Sequence, residues 1–433
     1  MDKGTLPQVM SRDVTQETCI RALKMGADWL EGVAQERRPN MPEYGSLRTD
    51  YSLRHRRWWR TQPVWRTAQA GRALIAAHRV TGAPRYLKGA ERAAAYLTTK
   101  QVLDPGSPVL HGMVNAHEHR PDRISVSAIV RSIRLFTDIA DVTGDRHWDE
   151  RFLMAMQWVF RNAYLLQGKV MESFSPATGQ FDSDGPWGPN SAPARPLIDD
   201  ACFYEAYLRS GEASYERAFR TIAERLSEDE APPGHWAAYP PSDRRTGLLV
   251  TRQAFWWGRP MLVAGNAFSD ERFLSVATRT AQWFMEYQNL DGGFYAQNWT
   301  SGYHNSFDLS ASAAACACLV WFDLYDRTGD DTYLEAARDS LRFVLRMQFS
   351  QAAEDVNLRG AFVESLDAPA PPQDAGPEVV VETPAPAEAA GGVEPFFDGT
   401  ERLSVHVADV ATTFAVQALA RAVDTPKLFM LGD

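Results

Sequence analysis

A turn that recurs between two helical stretches constrains the fold of this chain more than any other feature. Its clear copies pair a small polar residue with glycine and place an aromatic residue four positions later. The five copies are Thr81-Gly82 to Tyr86, Thr143-Gly144 to Trp148, Thr328-Gly329 to Tyr333, and the weaker Ser210-Gly211 to Tyr215 and Ser269-Asp270 to Phe273. Glycine accepts the left-handed conformation that ends a helix, and the next polar residue caps the following helix. Copies spaced at roughly 60 residues predict stacked helical hairpins with long return loops.

Within each hairpin, the first helix is more apolar than the second. The segment 308–322 consists almost entirely of apolar and small residues. A helix with this composition is buried on every side. The segment from Tyr333 to Met347 instead mixes charged residues with an apolar stripe, which is typical of a helix with one solvent-facing side. We therefore predict one inner and one outer helix in each hairpin.

Counting the hairpins predicts a closed ring. Inner helices are expected to start near Val64, Ile124, Ile198, Val250, Phe307 and Ser404, and outer helices near Pro84, Asp145, Glu212, Asp270 and Asp330. The sixth outer helix would be the segment 16–36, which would pair with the last inner helix, 405–422. Twelve helices then form an all-α (α/α)6 barrel, and no strand pattern competes beyond short loop pieces. We predict a single toroid domain over residues 1–433.

One segment departs from this pattern. Residues 367–395 are rich in Pro, Ala and Glu and contain almost no large apolar side chains. Such a composition is typical of a solvated, flexible insertion. A linker to a separate domain is the alternative, but the residues that follow complete the ring.

Charge and composition exclude some functions. The chain has 45 Lys+Arg against 55 Asp+Glu, a net charge of −10, which argues against a nucleic-acid partner. A local cationic pocket for an anionic substrate stays compatible with that balance. The four cysteines form no disulfide framework. The sequence shows neither an apolar signal segment nor a membrane-length apolar run, so we expect a cytoplasmic protein without a membrane partner.

In such a ring, the return loops would bring the amino ends of all six inner helices to one end, around one cavity. Helix amino ends contribute partial positive charge and free N–H groups. The polar and aromatic residues at these six starts are the candidate site. They lie in the segments 60–65, 115–123, 196–200, 252–259, 303–308 and 404–409.

Each candidate has a structural alternative. Asp199, Asp200 and Asp308 could serve only as helix caps. His117-Glu118-His119 suggests a metal site, but no further ligand occurs at metal-like spacing, so no metal and no cofactor are predicted. Trp256 and Trp257 cannot share one buried face, because adjacent helical residues point about 100° apart. Aromatic rings beside arginines suit sugar stacking and the pairing of carboxylate or sulfate groups.

The chain resembles the six-hairpin glycosidase superfamily, and within it the unsaturated glucuronyl and unsaturated rhamnogalacturonyl hydrolases. Those families carry an aspartate at the start of the third inner helix, where this chain has Leu197-Ile198-Asp199-Asp200-Ala201-Cys202-Phe203. They also carry a Trp-Gly-Arg segment on the fourth, which Trp256-Trp257-Gly258-Arg259 is similar to, although Pro260-Met261-Leu262 replaces the Asn-Gly-Trp that follows. The resemblance implies a general acid/base role for Asp199. A second acidic residue on the preceding inner helix is not evident, and only Asp122 is near.

The leading functional prediction is a glycoside hydrolase that acts on a small acidic, uronate-containing oligosaccharide. The candidate catalytic residues are Asp199, Asp200, Asp308 and His304. The candidate substrate-binding residues are Arg60, Trp65, His117, His119, Arg252, Trp256, Arg259, Asn305 and His406. A polysaccharide lyase or sugar epimerase, using side chains such as those of Tyr303-His304-Asn305, is one alternative. A carbohydrate-binding toroid without catalysis is the other.

Overall fold

The computed structural model describes residues 13–52, 56–60, 62–117, 122–184, 192–304, 309–349, 351–366 and 406–431. Within these residues, twelve α-helices alternate between an inner and an outer layer. The prediction of an all-α (α/α)6 barrel is therefore confirmed. The segment 367–395 lies outside the described residues, and the single-domain assignment stays a prediction.

The helices begin within a few residues of the expected positions. The inner helices are α2 (Pro63–Thr81), α4 (Val126–Thr143), α6 (Cys202–Ser210), α8 (Thr251–Phe268), α10 (Ala311–Thr328) and α12 (Asp409–Val423). The outer helices are α1 (Gln16–Asp28), α3 (Pro84–Lys100), α5 (His147–Trp158), α7 (Ala213–Glu228), α9 (Glu271–Tyr287) and α11 (Asp331–Arg346). Single π-helical turns, Trp29–Ala34 and Val159–Ala163, extend α1 and α5. The 3₁₀ turns Asp199–Ala201 and Pro426–Met430 precede α6 and follow α12.

The hairpin turns have the conformations that their residues predict. Gly82, Gly144, Gly211 and Gly329 all follow an inner helix with φ between 67° and 75°. The turn without glycine uses Ser269 at φ 50°, and Asp270 then caps α9 by accepting a hydrogen bond from the Arg272 N–H at 3.0 Å. These turns gather the carboxyl ends of the inner helices at one end of the barrel.

The ring closes between the last and the first inner helices. α2 packs against α4 and α8 packs against α10, while the 3₁₀ turn before α6, rather than α6 itself, packs against both α4 and α8. α12 packs against both α10 and α2, and α1 covers α12 from outside. At that seam, a Cβ atom added to Gly26 of α1 would lie 2.8 Å from Val416 Cγ2 of α12. The predicted pairing of the amino-terminal helix with the last inner helix is thus confirmed.

All strands in the described part are two or three residues long and lie in the loops. They are β1 (Asp50–Ser52), β2 (Arg57–Trp59), β3 (Ile124–Ser125), β4 (Tyr164–Leu165), β5 (Lys169–Met171), β6 (Ser173–Ser175), β7 (Gln180–Phe181), β8 (Ala194–Arg195), β9 (Leu248–Val250), β10 (Gln297–Trp299), β11 (Leu309–Ser310), β12 (Ser365–Leu366) and β13 (His406–Ala408). The largest sheet has the order β11-β12-β13-β1-β2. It links the loops that lead into α2, α10 and α12.

The third inner helix differs from the others in length. α6 has 9 residues, whereas α4 and α8 have 18 each. All of these helices end at hairpin turns, so α6 begins about 13 Å deeper in the wall than its neighbours, at 1.5 Å per residue. Asp200 and Ala201 just before it are both left-handed, with φ 52°. The expectation that all six inner helices start at one rim is therefore wrong for the third.

No helix in the described ranges is both long enough and apolar enough to span a membrane.

Candidate active site

Asp199 lies at the break in the wall that the short α6 creates. Its side chain is fully buried, and its Oδ1 accepts a hydrogen bond from Arg131 Nε at 2.8 Å. Its Oδ2 has no hydrogen-bond partner in the described part of the chain. Burial raises the pKa of this carboxyl group, while Arg131 and Arg195 act in the opposite direction. Asp199 therefore keeps its proton to a higher pH than an exposed aspartate.

Arg131 also joins Asp199 to a group of aromatic rings that crosses the barrel. Its guanidinium lies 4.9 Å from the centroid of the Trp256 ring. The rings of Trp65 and Phe414 meet Trp256 edge-on, at centroid distances of 6.4 and 5.7 Å. These three rings, which we call the aromatic floor, come from the first, fourth and sixth inner helices and so span the axis. Among the candidate residues, the structure thus links Asp199, Trp256 and Trp65 through Arg131 and these ring contacts.

Arg252 lies in the first turn of α8, at the amino-terminal end of the barrel. Its Nη1 donates to Ser312 Oγ at 2.6 Å and to Glu364 Oε1 at 3.0 Å. Glu364 also accepts from Ser310 Oγ at 2.9 Å. About a third of the Arg252 side chain, 34%, stays exposed. A cation is therefore available to solvent at the mouth of the barrel.

A buried counterpart of this arrangement occurs on the second inner helix. Glu172 accepts from Ser125 Oγ at 2.6 Å and from Ser127 Oγ at 2.5 Å, and it pairs with Arg195 Nε at 3.2 Å. Glu172 and Arg195 are both almost completely buried. The same combination of serine, glutamate and arginine side chains therefore occurs twice. Around Glu172 it is buried and fixes a loop inside the wall, whereas at Arg252 it is open to solvent.

Two residues predicted for the rim lie on the other side of the aromatic floor. Asp200 pairs with Arg72 Nη1 at 2.6 Å and accepts from Gln69 Nε2 at 3.1 Å. Arg259 is the ninth residue of α8, beyond Trp256, and pairs with Asp323 at 2.6 Å. Arg259 therefore lies in the carboxyl half of the barrel, because seven residues of helix separate it from Arg252 by about 10 Å. Asp200 faces the same half, because its partner Arg72 is the tenth residue of α2.

The predicted histidines have separate settings. His304 is exposed, and its ring stacks on Tyr295 with centroids 4.2 Å apart. His117 Nδ1 lies 2.7 Å from the Arg123 carbonyl, which makes that nitrogen the donor. The backbone of His406 belongs to β13. His119, Asn305 and Asp308 lie outside the described residues.

Arg60 pairs with carboxylates that follow the outer helix α1. Its Nη2 lies 3.6 Å from Glu36 and its Nη1 lies 3.5 Å from Glu43. Neither partner belongs to an inner helix. Its predicted role in substrate binding gains no support from these contacts.

Several residues of the site were missed by the sequence reasoning. Arg131, Glu172 and Glu364 contact or surround the predicted residues, yet none lies at a helix start. Arg131 could have been found, because an arginine inside the apolar run from Ile124 to Phe136 needs a buried partner. Glu172 and Glu364 lie in loops whose sequence carries no such signal.

The described residues contain no group of three or more His, Cys, Asp or Glu side chains that could hold a metal ion. Two surface grooves lie away from the mouth. One, of about 510 Å³, runs along α1 beside Ile20 and Met25. The other, of about 540 Å³, opens at the carboxyl ends of α4 and α6 beside Arg134 and Leu208.

Comparisons with known proteins match the fold. No protein-family model and no curated protein matches the sequence. A solved structure of an unsaturated glucuronyl hydrolase specific for heparin is 12% identical, over 95% of this chain and 99% of its own, with a TM-score of 0.66. Cellobiose 2-epimerase from Bacillus thermoamylovorans B4167 is also 12% identical, over 94% and 99%, with a TM-score of 0.63.

A polysaccharide lyase is similar over part of its length. It is 12% identical over 82% of this chain and 48% of its own, with a TM-score of 0.54. At these identities the likeness concerns the fold. The sequence resemblance to the six-hairpin glycosidase superfamily is confirmed at that level.

Proposed function

We propose that this six-hairpin chain is a carbohydrate-active enzyme, and specifically a glycoside hydrolase that acts on an acidic, uronate-containing oligosaccharide. One observation carries the proposal: a buried aspartate with a raised pKa and one partnerless oxygen lies at the break in the barrel wall. A general acid must hold a proton near neutral pH and present it to the reacting oxygen. The raised pKa and the partnerless Oδ2 of Asp199 support this role, whereas both carboxylate oxygens of Asp200 are already bonded.

The remaining contacts give each residue a role. The proton would leave Asp199 Oδ2 for the glycosidic oxygen, or for the double-bond carbon of an enol ether, and water would add to the electrophilic carbon that results, so that the rest of the saccharide is released. The carboxylate that forms would stay paired with Arg131. Arg252 would exchange Glu364 for the carboxylate of the substrate, since charge-assisted pairs of this kind interconvert at a solvent-exposed site. The aromatic floor would form the apolar base on which a sugar ring rests.

The substitution Asp199→Asn tests the proposal. We expect it to lower kcat on unsaturated uronyl disaccharides by about 10²- to 10⁴-fold, because that is the typical contribution of a general acid. The fold should persist, since an amide oxygen can still accept the bond from Arg131. Turnover is followed by the loss of absorbance of the unsaturated uronyl group and by a mass gain of one water.

Asp200→Asn is the matched control, because it changes the adjacent carboxylate on the other side of the aromatic floor. We expect this variant to keep most of the hydrolytic activity. Undiminished turnover by Asp199→Asn would remove Asp199 from the mechanism. Unchanged saccharide binding and no turnover by any variant, including the wild type, would favour a binding toroid.

A lyase or epimerase is the second candidate, favoured by one observation. The stacked pair of the exposed His304 and the half-buried Tyr295 offers the two side-chain types that remove and return a proton beside a sugar carboxylate or carbonyl. This chemistry predicts products whose total mass equals that of the substrate. It also predicts that His304→Ala abolishes activity while Asp199→Asn retains it.

A further inference from the structure

The carboxyl half of the barrel axis is lined by charged side chains from all six hairpins. These residues, which we call the axial well, are Arg72, Asp138, Asp200, Arg259, Asp323 and Arg421. They lie on the opposite side of the aromatic floor from Asp199. None of them takes part in the hydrolysis proposed above.

The axial well is open to solvent at the end where the hairpin turns lie. Along one face of α8, exposure rises from 6% at Trp256 through 27% for the Arg259 side chain to 37% at Val263. The same gradient runs along α2, where Gln69 is buried, Arg72 is partly buried and Arg79 is exposed. Residues three or four apart share one helix face, so each gradient follows the axis.

The carboxylates in the axial well are already engaged with arginines. Arg72 binds Asp138 through Nε at 2.7 Å and Asp200 through Nη1 at 2.6 Å. Asp323 binds Arg259 Nε at 2.6 Å and lies 3.6 Å from Arg421. The carboxylate groups of the axial well are therefore largely occupied by their contacts with arginines.

Two arginines of the axial well, Arg259 and Arg72, have N–H donors without a hydrogen-bond partner among the described residues. In the part of the chain that the structure describes, neither Nη1 nor Nη2 of Arg259 has a hydrogen-bond partner, and the same holds for Nη2 of Arg72. Burial would lower the pKa of Arg259, but Asp323 outweighs it and the pKa is raised. Arg72 on the first inner helix binds Asp200, and the 3₁₀ turn that carries Asp200 packs against α8, the fourth inner helix, which also carries Arg259.

We propose that the axial well binds a small oxyanion, a phosphate or carboxylate group, between the unpaired nitrogens of Arg259 and Arg72. A planar guanidinium group with unpaired N–H donors matches the geometry of such anions and forms charge-assisted hydrogen bonds with them. The aromatic floor separates this anion from the mouth beside Arg252. The site is therefore distinct from the proposed substrate site and does not depend on that proposal.

Calorimetric titration of the full chain with inorganic phosphate, and separately with succinate, tests the inference. We expect saturable binding of at least one of the two anions, and the anion that binds identifies the ligand class. Arg259→Gln should weaken this binding at least about tenfold, the effect of losing charge-assisted hydrogen bonds. Arg252→Gln, the matched arginine at the mouth, should bind the anion as tightly as the wild type does.

Arg259→Lys provides a second variant that preserves the charge beside Asp323. Because lysine presents a point charge rather than a fork, we expect it to fold and to bind the anion several-fold more weakly than the wild type. The inference is overturned if neither anion binds the wild type, or if both Arg259 variants bind as tightly as the wild type. It is equally overturned if Arg252→Gln removes the binding, because the anion would then lie at the mouth.

Discussion

Asp409, the first residue of α12, is a buried carboxyl group at the seam of the ring. Its Oδ1 accepts from Arg66 Nε at 2.6 Å, and Asp50 shares the same guanidinium at 2.8 Å. Its Oδ2 has no partner among the described residues. Burial raises the pKa of Asp409 to about 7, with Arg66 opposing this shift and Asp50 adding to it. The charge of this seam therefore changes near neutral pH.

This pKa predicts a pH-dependent stability. Because the folded pKa lies above the unfolded value, the stabilisation is complete below the ordinary aspartate pKa and is lost as the pH rises through about 7. We expect the free energy of unfolding in urea to fall by a few kcal/mol between about pH 5 and pH 8. Asp409→Asn cannot titrate and should lose much of that fall.

Asp330→Asn, at an exposed helix cap, is the control for this experiment and should keep the wild-type pH dependence. If Asp409→Asn showed the same fall as the wild type, the titration of Asp409 would not govern the stability of the seam.

At the level of single residues, sequence reasoning named some members of the candidate site and missed others. Asp199 was found because a helix start can be recognised from its neighbours in the chain. Arg131 approaches Asp199 from another helix, 68 positions earlier. Their contact depends on how two inner helices are aligned, and no local pattern encodes that alignment. The same reason explains why Arg259 was assigned to the mouth.

Among the elements, the spacing between α8 and α9 depends on Gly258. A Cβ atom at this position would lie 2.3 Å from both Oγ1 and Cγ2 of Thr280. Contacts this short are not tolerated, so one of the two helices would have to move. The glycine in the Trp-Gly-Arg segment is thus required for close packing of an inner helix on an outer one.

Gly258→Ala tests this packing. Alanine favours a helix over glycine by about 1 kcal/mol. We expect overpacking of about 1–3 kcal/mol to outweigh this gain and to lower the free energy of unfolding. Thr280→Ala should restore part of the loss, because it removes the two closest atoms. An increase in stability for Gly258→Ala alone would mean that helix propensity governs this position.

The elements themselves followed from the sequence more completely than the site did. Each hairpin turn is a local structure, and in four of the five described turns a glycine marks its place without reference to the rest of the fold. The short α6 was not expected, because Leu197 and Ile198 before it are as apolar as a helix interior. The late start of α6 is shown by a contact between distant parts of the chain. Asp200, just before α6, pairs with Arg72 in the second half of α2.

Across the whole molecule, one seam joins segments that are far apart in the chain. Gly26 on α1 leaves room for Val416, Thr412 and Phe362, which a side chain would crowd. We expect Gly26→Val to speed hydrogen exchange in both α1 and α12, because each of these helices stabilises the other. α7, on the far side of the ring, should keep its protection.

Gly32→Val is the matched control, because a Cβ atom there would meet nothing within 4 Å. It introduces the same β-branched residue into the same outer segment without touching α12. If exchange accelerated in α1 but not in α12, the seam would not couple the two ends of the chain.

The seam also affects how the protein is made. The outer helix α1 is synthesised before the other described helices, yet it packs on α12, which ends at Val423 and is the last of them to be synthesised. Until then, the apolar sides of α2 and α10 that α12 covers have no neighbour, and exposed surface of this kind promotes aggregation. Nascent chains therefore carry these uncovered apolar surfaces until α12 has been made. A truncated product that stops after α11 would leave two such surfaces uncovered for its whole lifetime.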